Sequence, residues 1–331
     1  MIEILNTGPL NTIQDLGRPG YRDIGVTASG AMDPLALRIA NLLVGNDEGA
    51  AAIEVQTFPF RLRFSRATAF AVTGSGRATI DGVVLPPWWS QTAGAGQVLE
   101  ILPSPASARA YIAFAGGVDV PLVLGSRSTS LRGAFGGIDG RSLTNADILE
   151  LGTPAGTILP ADGLGVVPPE TALSALFPVA ADATLLVRAL PAGEHHLFGA
   201  DAEHFWSQSW KISAQSDRTG YRLSGEPVRP EAPVEMRSYG IVPGVVQVPP
   251  GGEPIVQMSD ANTAGGYPKI AGVLEADLWR LGQARIGSRL RFVRSSHAEA
   301  RALDQAIAAY MDDVRDTSQM VMRALKTIAG R

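Results

Sequence analysis

QDLGRPGYRDIG at residues 14–25 and SDRTGYRL at residues 216–223 carry the same tripeptide, Gly20-Tyr21-Arg22 in the first and Gly220-Tyr221-Arg222 in the second. An Asp and an Arg precede it each time, Asp15 and Arg18, then Asp217 and Arg218. One turn written twice, far apart in the chain, predicts two halves of similar design with one turn in each. Two looser echoes agree. RAYIAFAGGVDVPLVLG (109–125) resembles GGYPKIAGVLEADLWRLG (265–282), and GAGQVLEI (94–101) resembles RIGSRLRFV (285–293).

Between these echoes the chain reads mainly as short strands. The stretches 2–5, 53–64, 67–73, 97–102, 109–115, 147–151, 184–190, 211–215, 244–248, 254–259 and 289–294 are rich in strand formers. RLRFVR (289–294) alternates as a half-buried strand should. Many short strands among 37 Gly and 23 Pro point to barrels or sandwiches. Two longer segments read as helices. In DPLALRIANLLVG, Asp33 suits the N-cap, Pro34 the first turn and Gly45 the stop, with Leu35, Ile39, Leu42 and Leu43 on one face. The tail over 298–328 repeats the helical period through Leu303, Ile307, Tyr310, Met311 and Val314, with a break expected at Asp316-Thr317-Ser318. A shorter helix is expected over 200–208. The expected division is a first lobe 1–152, a Gly/Pro-rich connection 153–182, a second lobe 183–295 and a helical tail 296–331.

Bulk properties exclude several function classes. The 331 residues are 45% apolar, enough for a large core, and no run reaches the ~20 apolar residues of a membrane span. The acidic MIEILNTGPL start is unlike a secretory signal. Absence of cysteine rules out disulfides, cysteine metal sites and thiol catalysis, and fits a cytoplasmic setting. A net charge of −4 with interspersed signs predicts no nucleic-acid or membrane affinity. Positive charge rests on arginine almost throughout; Lys211, Lys269 and Lys326 are the three lysines. There is no P-loop, no G-x-S-x-G elbow, no Met-Lys-Met biotin site and no trusted metal spacing among His195, His196, His204 and His297.

Four polar constellations remain. QMSDANTAGGYPKIAG (257–272) follows a strand; Gly265-Gly266 can turn sharply with positive φ, Pro268 fixes the backbone, and Asp260 and Lys269 flank the turn. Such a loop can hold an anion or an acyl group, with Lys269 against a developing oxyanion and Asp260 as base or orienting group. It can equally be a hairpin closed by a salt bridge. In SDRTGYRL, Asp217 can cap a turn, Arg218 can grip a carboxylate and Tyr221 can stack and donate; the plain alternative is an Asx-turn with a solvated arginine. DLGRPGYRDIGVTASGAMD (15–33) ends at a helix start, which favours anions, although Asp33 already supplies a carboxylate there. GSRSTSLRG (125–133) offers Arg127 and Arg132 among hydroxyls, as an anion contact or a polar turn.

Taken in order, TIQDLGRPGYRDIGVTASGAMDPLALRIANLLVGN, RAYIAFAGGVDVPLVLGSRST, SDRTGYRL, GIVPGVVQVPPGGEPIV and TAGGYPKIA resemble the biotin-dependent carboxyltransferase family, which includes allophanate hydrolase subunit 2, the C subunit of 5-oxoprolinase and the antagonist of a sporulation kinase inhibitor. The resemblance runs from about residue 5 to 294. It implies a mainly β fold of two cyclophilin-like β-barrel lobes with a few helices and a C-terminal helix. It implies a smaller partner of the type of allophanate hydrolase subunit 1 or the B subunit of 5-oxoprolinase, with a third lactam-utilisation subunit in 5-oxoprolinase-type systems. The implied function is a hydrolase subunit, active only with its partner, that helps open a small cyclic amide with ATP. The alternatives are carboxyl transfer from carboxybiotin to urea, and a regulatory binding protein without turnover. By position, the implied site is Lys269 and Asp260 with Asp217, Arg218, Tyr221, Gly265, Gly266 and Tyr267; Arg127 joins them as a candidate anion contact. The chain departs from the family pattern at Asn262, at TGSGRATIDG (73–82) and at LPAGEHHLFG (190–199).

Overall fold

The computed structural model describes residues 1–105, 108–177 and 180–329. Residues 178–179 of the expected connection and 330–331 of the expected tail lie outside the described residues.

Alternation shapes the first compact unit. In Phe60–Phe64, FRLRF, the three apolar residues are buried while Arg61 and Arg63 face water. The chain over 53–64, expected as one strand, is two: it breaks at residues 56–59, where the Asn11 side chain accepts from the Gln56 and Thr57 backbone N–H groups. Two six-stranded antiparallel sheets result. One runs Ile148–Leu149, Ile2–Asn6, Phe60–Phe64, Val98–Leu102, Arg77–Ile80, Val83–Val84. The other runs Leu164–Gly165, Trp89–Ala93, Thr68–Gly74, Ala110–Phe114, Ala52–Val55, Thr12–Gln14. Both feed one core that includes Ile4, Ile53, Phe64, Phe70, Leu99 and Phe114. The helix Pro34–Leu43 packs against the second sheet. Its Asp33 cap accepts from Ala36 N–H at 2.9 Å, its expected apolar face is buried, and Gly45 follows in the left-handed region.

The second unit is built around a closed barrel. Its order is Leu185–Pro191, Lys269–Val273, Val245–Gln247, Ile255–Gln257, Gly220–Ser224, Trp210–Ile212, Arg289–Arg294, closed by parallel pairing of the last strand with the first. A two-residue ladder, Tyr239–Gly240 with Ala264–Gly265, stands apart from the barrel. The helix Glu275–Gln283 was not expected from sequence. Its buried face carries Asp277 and Arg280, and Asp277 pairs with both Arg280 and Arg188, so the apolar periodicity is masked.

The mainly β architecture is the one the sequence implies, but the units divide the chain differently from the linear reading. The first comprises Met1–Arg18, Ser29–Ala172 and residues from Ala308 onward; the second comprises Pro19–Ala28 and Leu173–Ile307. Both Gly-Tyr-Arg copies therefore belong to the second unit, rather than one to each half. They also differ in form. Gly220-Tyr221-Arg222 opens a barrel strand, whereas Arg22 begins a 3-10 turn. The C-terminal helix His297–Ala329 is unbroken. Ser318 lies on its buried stripe with Leu303, Met311, Val314 and Met322, so the expected break does not occur.

Candidate functional site

The loop between strands Ile255–Gln257 and Lys269–Val273 carries most of the expected site, and it divides into two clusters. At its start, Asp260 pairs with Arg218 rather than with Lys269. Arg218 Nε and Nη2 donate to Asp260 Oδ2 and Oδ1 at 3.0 and 3.3 Å, and Asp260 N–H donates to the Arg218 carbonyl. Arg218 is 4% exposed and Asp260 7%, so the arginine is not the solvated residue of the plain alternative. Asp217 does form the Asx-turn, accepting from the Thr219 and Gly220 N–H groups at 2.8 and 3.2 Å. Tyr221, expected as a stacking and donating residue, is 1% exposed inside the barrel unit, because the alternation of Gly220–Ser224 turns it away from solvent.

At the loop's end, Lys269 is 2% exposed. Its ammonium donates to Gly265 O at 2.9 Å and lies 3.4 Å from the centre of the Tyr239 ring. Glu194 closes the cluster: its carboxylate accepts from Tyr239 Oη at 2.7 and 2.9 Å and from Lys269 N–H at 3.1 Å. Burial pushes the Lys269 pKa below the usual lysine value, against the opposing pull of Glu194. Burial, with Glu194 adding, pushes the Tyr239 phenol up to about 12.

Gly265 and Gly266 serve by close approach instead of left-handed backbone. Neither has a positive φ, so the expected anion-binding nest of turned amides is not formed. A Cβ on Gly265 would lie 2.4 Å from Gln247 Nε2, and one on Gly266 3.1 Å from Met236 O.

A pair of buried amides continues from the loop that ends at Lys269. Gln247 Nε2 faces the Tyr267 carbonyl at 3.5 Å, and Gln257 Nε2 donates to Gln247 Oε1 at 3.1 Å. A carbonyl only accepts, so Tyr267 O sets the direction of both amides and leaves Gln257 Oε1 as the terminal acceptor. That oxygen is buried without a hydrogen-bond partner. The Tyr267 ring is 47% exposed. Strand register separates the clusters: Gln247 pairs with Lys269 at one end of its hairpin, and Gln257 pairs with Gly220 at the other.

Arg127 does not join this cluster. It belongs to the first unit, where its guanidinium binds Val120 O and Asp119, and its N–H donates to Asp15. The 420 Å³ hollow of the second unit, bordered by Leu186, Val293 and Leu303, is not lined by the expected residues either; Arg188 and Arg280 on its wall are paired with Asp277. Among the described residues no group of three or more His, Asp or Glu could hold a metal, and no helix is long and apolar enough to cross a membrane.

Glu194, Tyr239, Gln247 and Gln257 are the residues sequence reasoning missed. Glu194 sits in LPAGEHHLFG, one of the stretches that departs from the family pattern, and the two glutamines end the short strands expected at 244–248 and 254–259.

The family model described as carboxyltransferase domain, subdomain A and B, matches residues 24–294. The chain is 39% identical to the C subunit of 5-oxoprolinase from Escherichia coli (strain K12), over 98% of both chains, and 39% identical to that of Haemophilus influenzae, over 95% of this chain and 98% of the relative. Among solved structures it superposes on the Kluyveromyces lactis urea carboxylase with a TM-score of 0.83 and 31% identity, over 96% of this chain but 29% of that one.

Proposed function

Because the chain belongs to the carboxyltransferase-domain family, we propose that it is the larger subunit of an ATP-dependent amidohydrolase of the 5-oxoprolinase kind, active with a smaller partner. The observation that carries this reading is its end-to-end match to the 5-oxoprolinase C subunit, where the urea carboxylase match covers only part of a longer chain.

The chemistry asks for an anion contact beside an amide. The lactam oxygen takes the γ-phosphoryl group of ATP, and ADP leaves. Water adds to the activated carbon, the C–N bond breaks with the nitrogen protonated, and a second water splits the acyl phosphate to carboxylate and phosphate. The Lys269 ammonium, in a low-dielectric setting, is suited to stabilise charge on the lactam or phosphoryl oxygen. Arg218 holds Asp260 in place. The residues around Gly265 form a single-lysine contact and no triphosphate cradle, so we assign ATP to a site completed by the partner. A third lactam-utilisation subunit fits the same scheme.

The superposition on urea carboxylase favours one second reading, in which the site receives a carboxyl group from carboxybiotin on another chain. Purifying the chain with its smaller partner and assaying ATP cleavage against lactams and urea separates the two. The first reading predicts ADP and phosphate released in step with ring opening of 5-oxoproline. Urea carboxylation with a biotinylated carrier, without lactam-dependent ATP cleavage, would contradict it.

A further inference from the structure

We propose that Arg22 is a positioning residue of the Lys269 site, fastening the two short segments whose pairing builds the walls around the lysine ammonium. Those walls are slight. Tyr239, whose ring lies on the ammonium, and Gly265, whose carbonyl accepts from it, are cross-strand partners in a ladder of two residues on each side. A ladder that short has little stability of its own. Ile241 N–H to Thr263 O adds one further bond. Arg22 supplies the clamp. Its Nη2 donates to Ile241 O, just beyond one side of the ladder, and at 2.7 Å to Asn262 O, just before the other. One charged nitrogen thus bridges both segments, through hydrogen bonds of the stronger, charge-assisted kind.

Local backbone aims the side chain. Gly20 and Gly25, both left-handed, bracket Arg22, and its 3-10 turn is closed by Gly25 N–H to Arg22 O and Val26 N–H to Tyr21 O. Arg22 Nη1 is buried without a hydrogen-bond partner, and burial lowers the guanidinium's pKa, so the two carbonyls are what offset its partial loss of water. The titratable groups beside Lys269 are Glu194, from the turn after Leu185–Pro191, which accepts from its backbone N–H and pulls its pKa upward, and Tyr239, from the ladder, whose ring lies on the ammonium. Loosening the ladder admits water to the lysine and takes Tyr239, with its bond to Glu194, out of place.

The inference rests on reading Lys269 as the working lysine, and its test does not use turnover. With three lysines in the chain, ¹³C-ε labelling gives three signals, and Lys269→Met identifies one. In Arg22→Met the Lys269 midpoint moves up towards 10.5. Amides of 239–241 and 263–265 exchange about tenfold faster, the equivalent of one lost hydrogen bond, while those of Gly220–Ser224 and Ile255–Gln257 hold their rates. An unmoved titration with unmoved exchange overturns the proposal, as does faster exchange throughout the barrel, which would make Arg22 a general fold contact. Arg22→Lys keeps the charge and guards against a purely Coulombic shift. It should recover part of the ladder's protection; recovery of the titration without protection would overturn the positioning role. If ladder and titration respond as stated while lactam turnover proves independent of Lys269, this inference stands and the functional reading falls.

Discussion

Lys269 and Arg218 answer the cost of a buried charge in different ways. Arg218 meets a carboxylate in a two-point pair, so removing one partner takes the countercharge from a buried group. Asp260→Ala or Arg218→Ala should each cost about 3–5 kcal/mol of unfolding free energy, whereas the double substitution should cost clearly less than the sum. Chemical denaturation of the three variants checks this; additive losses would mean that the pair is not the unit. Lys269 has no carboxylate on its ammonium. It has one carbonyl, one aromatic face and a glutamate held at its own backbone N–H. Its charge is only partly compensated, which is why burial lowers its pKa.

Strands and turns decide which of these residues meet. The edge of the first unit depends on a small turn as well as on ladder pairing. Arg141 grips Asp147 through two bonds of 2.8 Å, and Ala146 N–H and the Asp147 carbonyl tie the turn to Ile4. Burial pushes the Asp147 carboxyl up, but the Arg141 and Thr144 hydrogen bonds outweigh it and hold the pKa below 3.8. The depressed folded value means that Asp147 contributes stability above pH 3.8 and loses it as pH falls through the folded pKa. Asp147→Asn should therefore cost about 1 kcal/mol at pH 7, in the range of an exposed to half-exposed pair. Denaturation curves of the two proteins should converge once pH has fallen through the folded pKa, which lies below 3.8. A gap that persists there would assign the effect to something other than the carboxylate.

Elements of this kind were legible where one physical signal dominates. The Asp33 cap and its apolar stripe mark their helix, and alternation marks Arg289–Arg294. Legibility failed where polar residues are buried in partnership. Asp277 and Arg280 hid a helix, and Ser318 suggested a break in a stripe that runs on. Around the candidate site, the loop from Asp260 to Lys269 could be singled out from its residue types, but the partners the structure gives those two residues could not. Glu194, Tyr239 and Arg218 reach them across many residues of sequence, through long-range pairing that no local pattern encodes.

For the molecule as a whole, chain order misleads about assembly. The doubled Gly-Tyr-Arg reads as one mark per half, yet the 19–28 segment joins the second unit and brings Arg22 onto the loops of the Lys269 site. On the function proposed above, this enclosed ammonium does the work at an amide-handling site shared with a partner. The most direct measurement is the pH profile of ATP-coupled 5-oxoproline hydrolysis by the reconstituted complex, with the parent chain and with Lys269→Met. A cation that titrates below 10.5 loses its charge as pH rises through that lowered value, so the parent's activity should fall on an alkaline limb below 10.5. Lys269→Met should lose about a hundredfold in kcat, the scale of one lost transition-state contact, and with it that limb. Full turnover in Lys269→Met, with the alkaline limb intact, would contradict that role for the lysine.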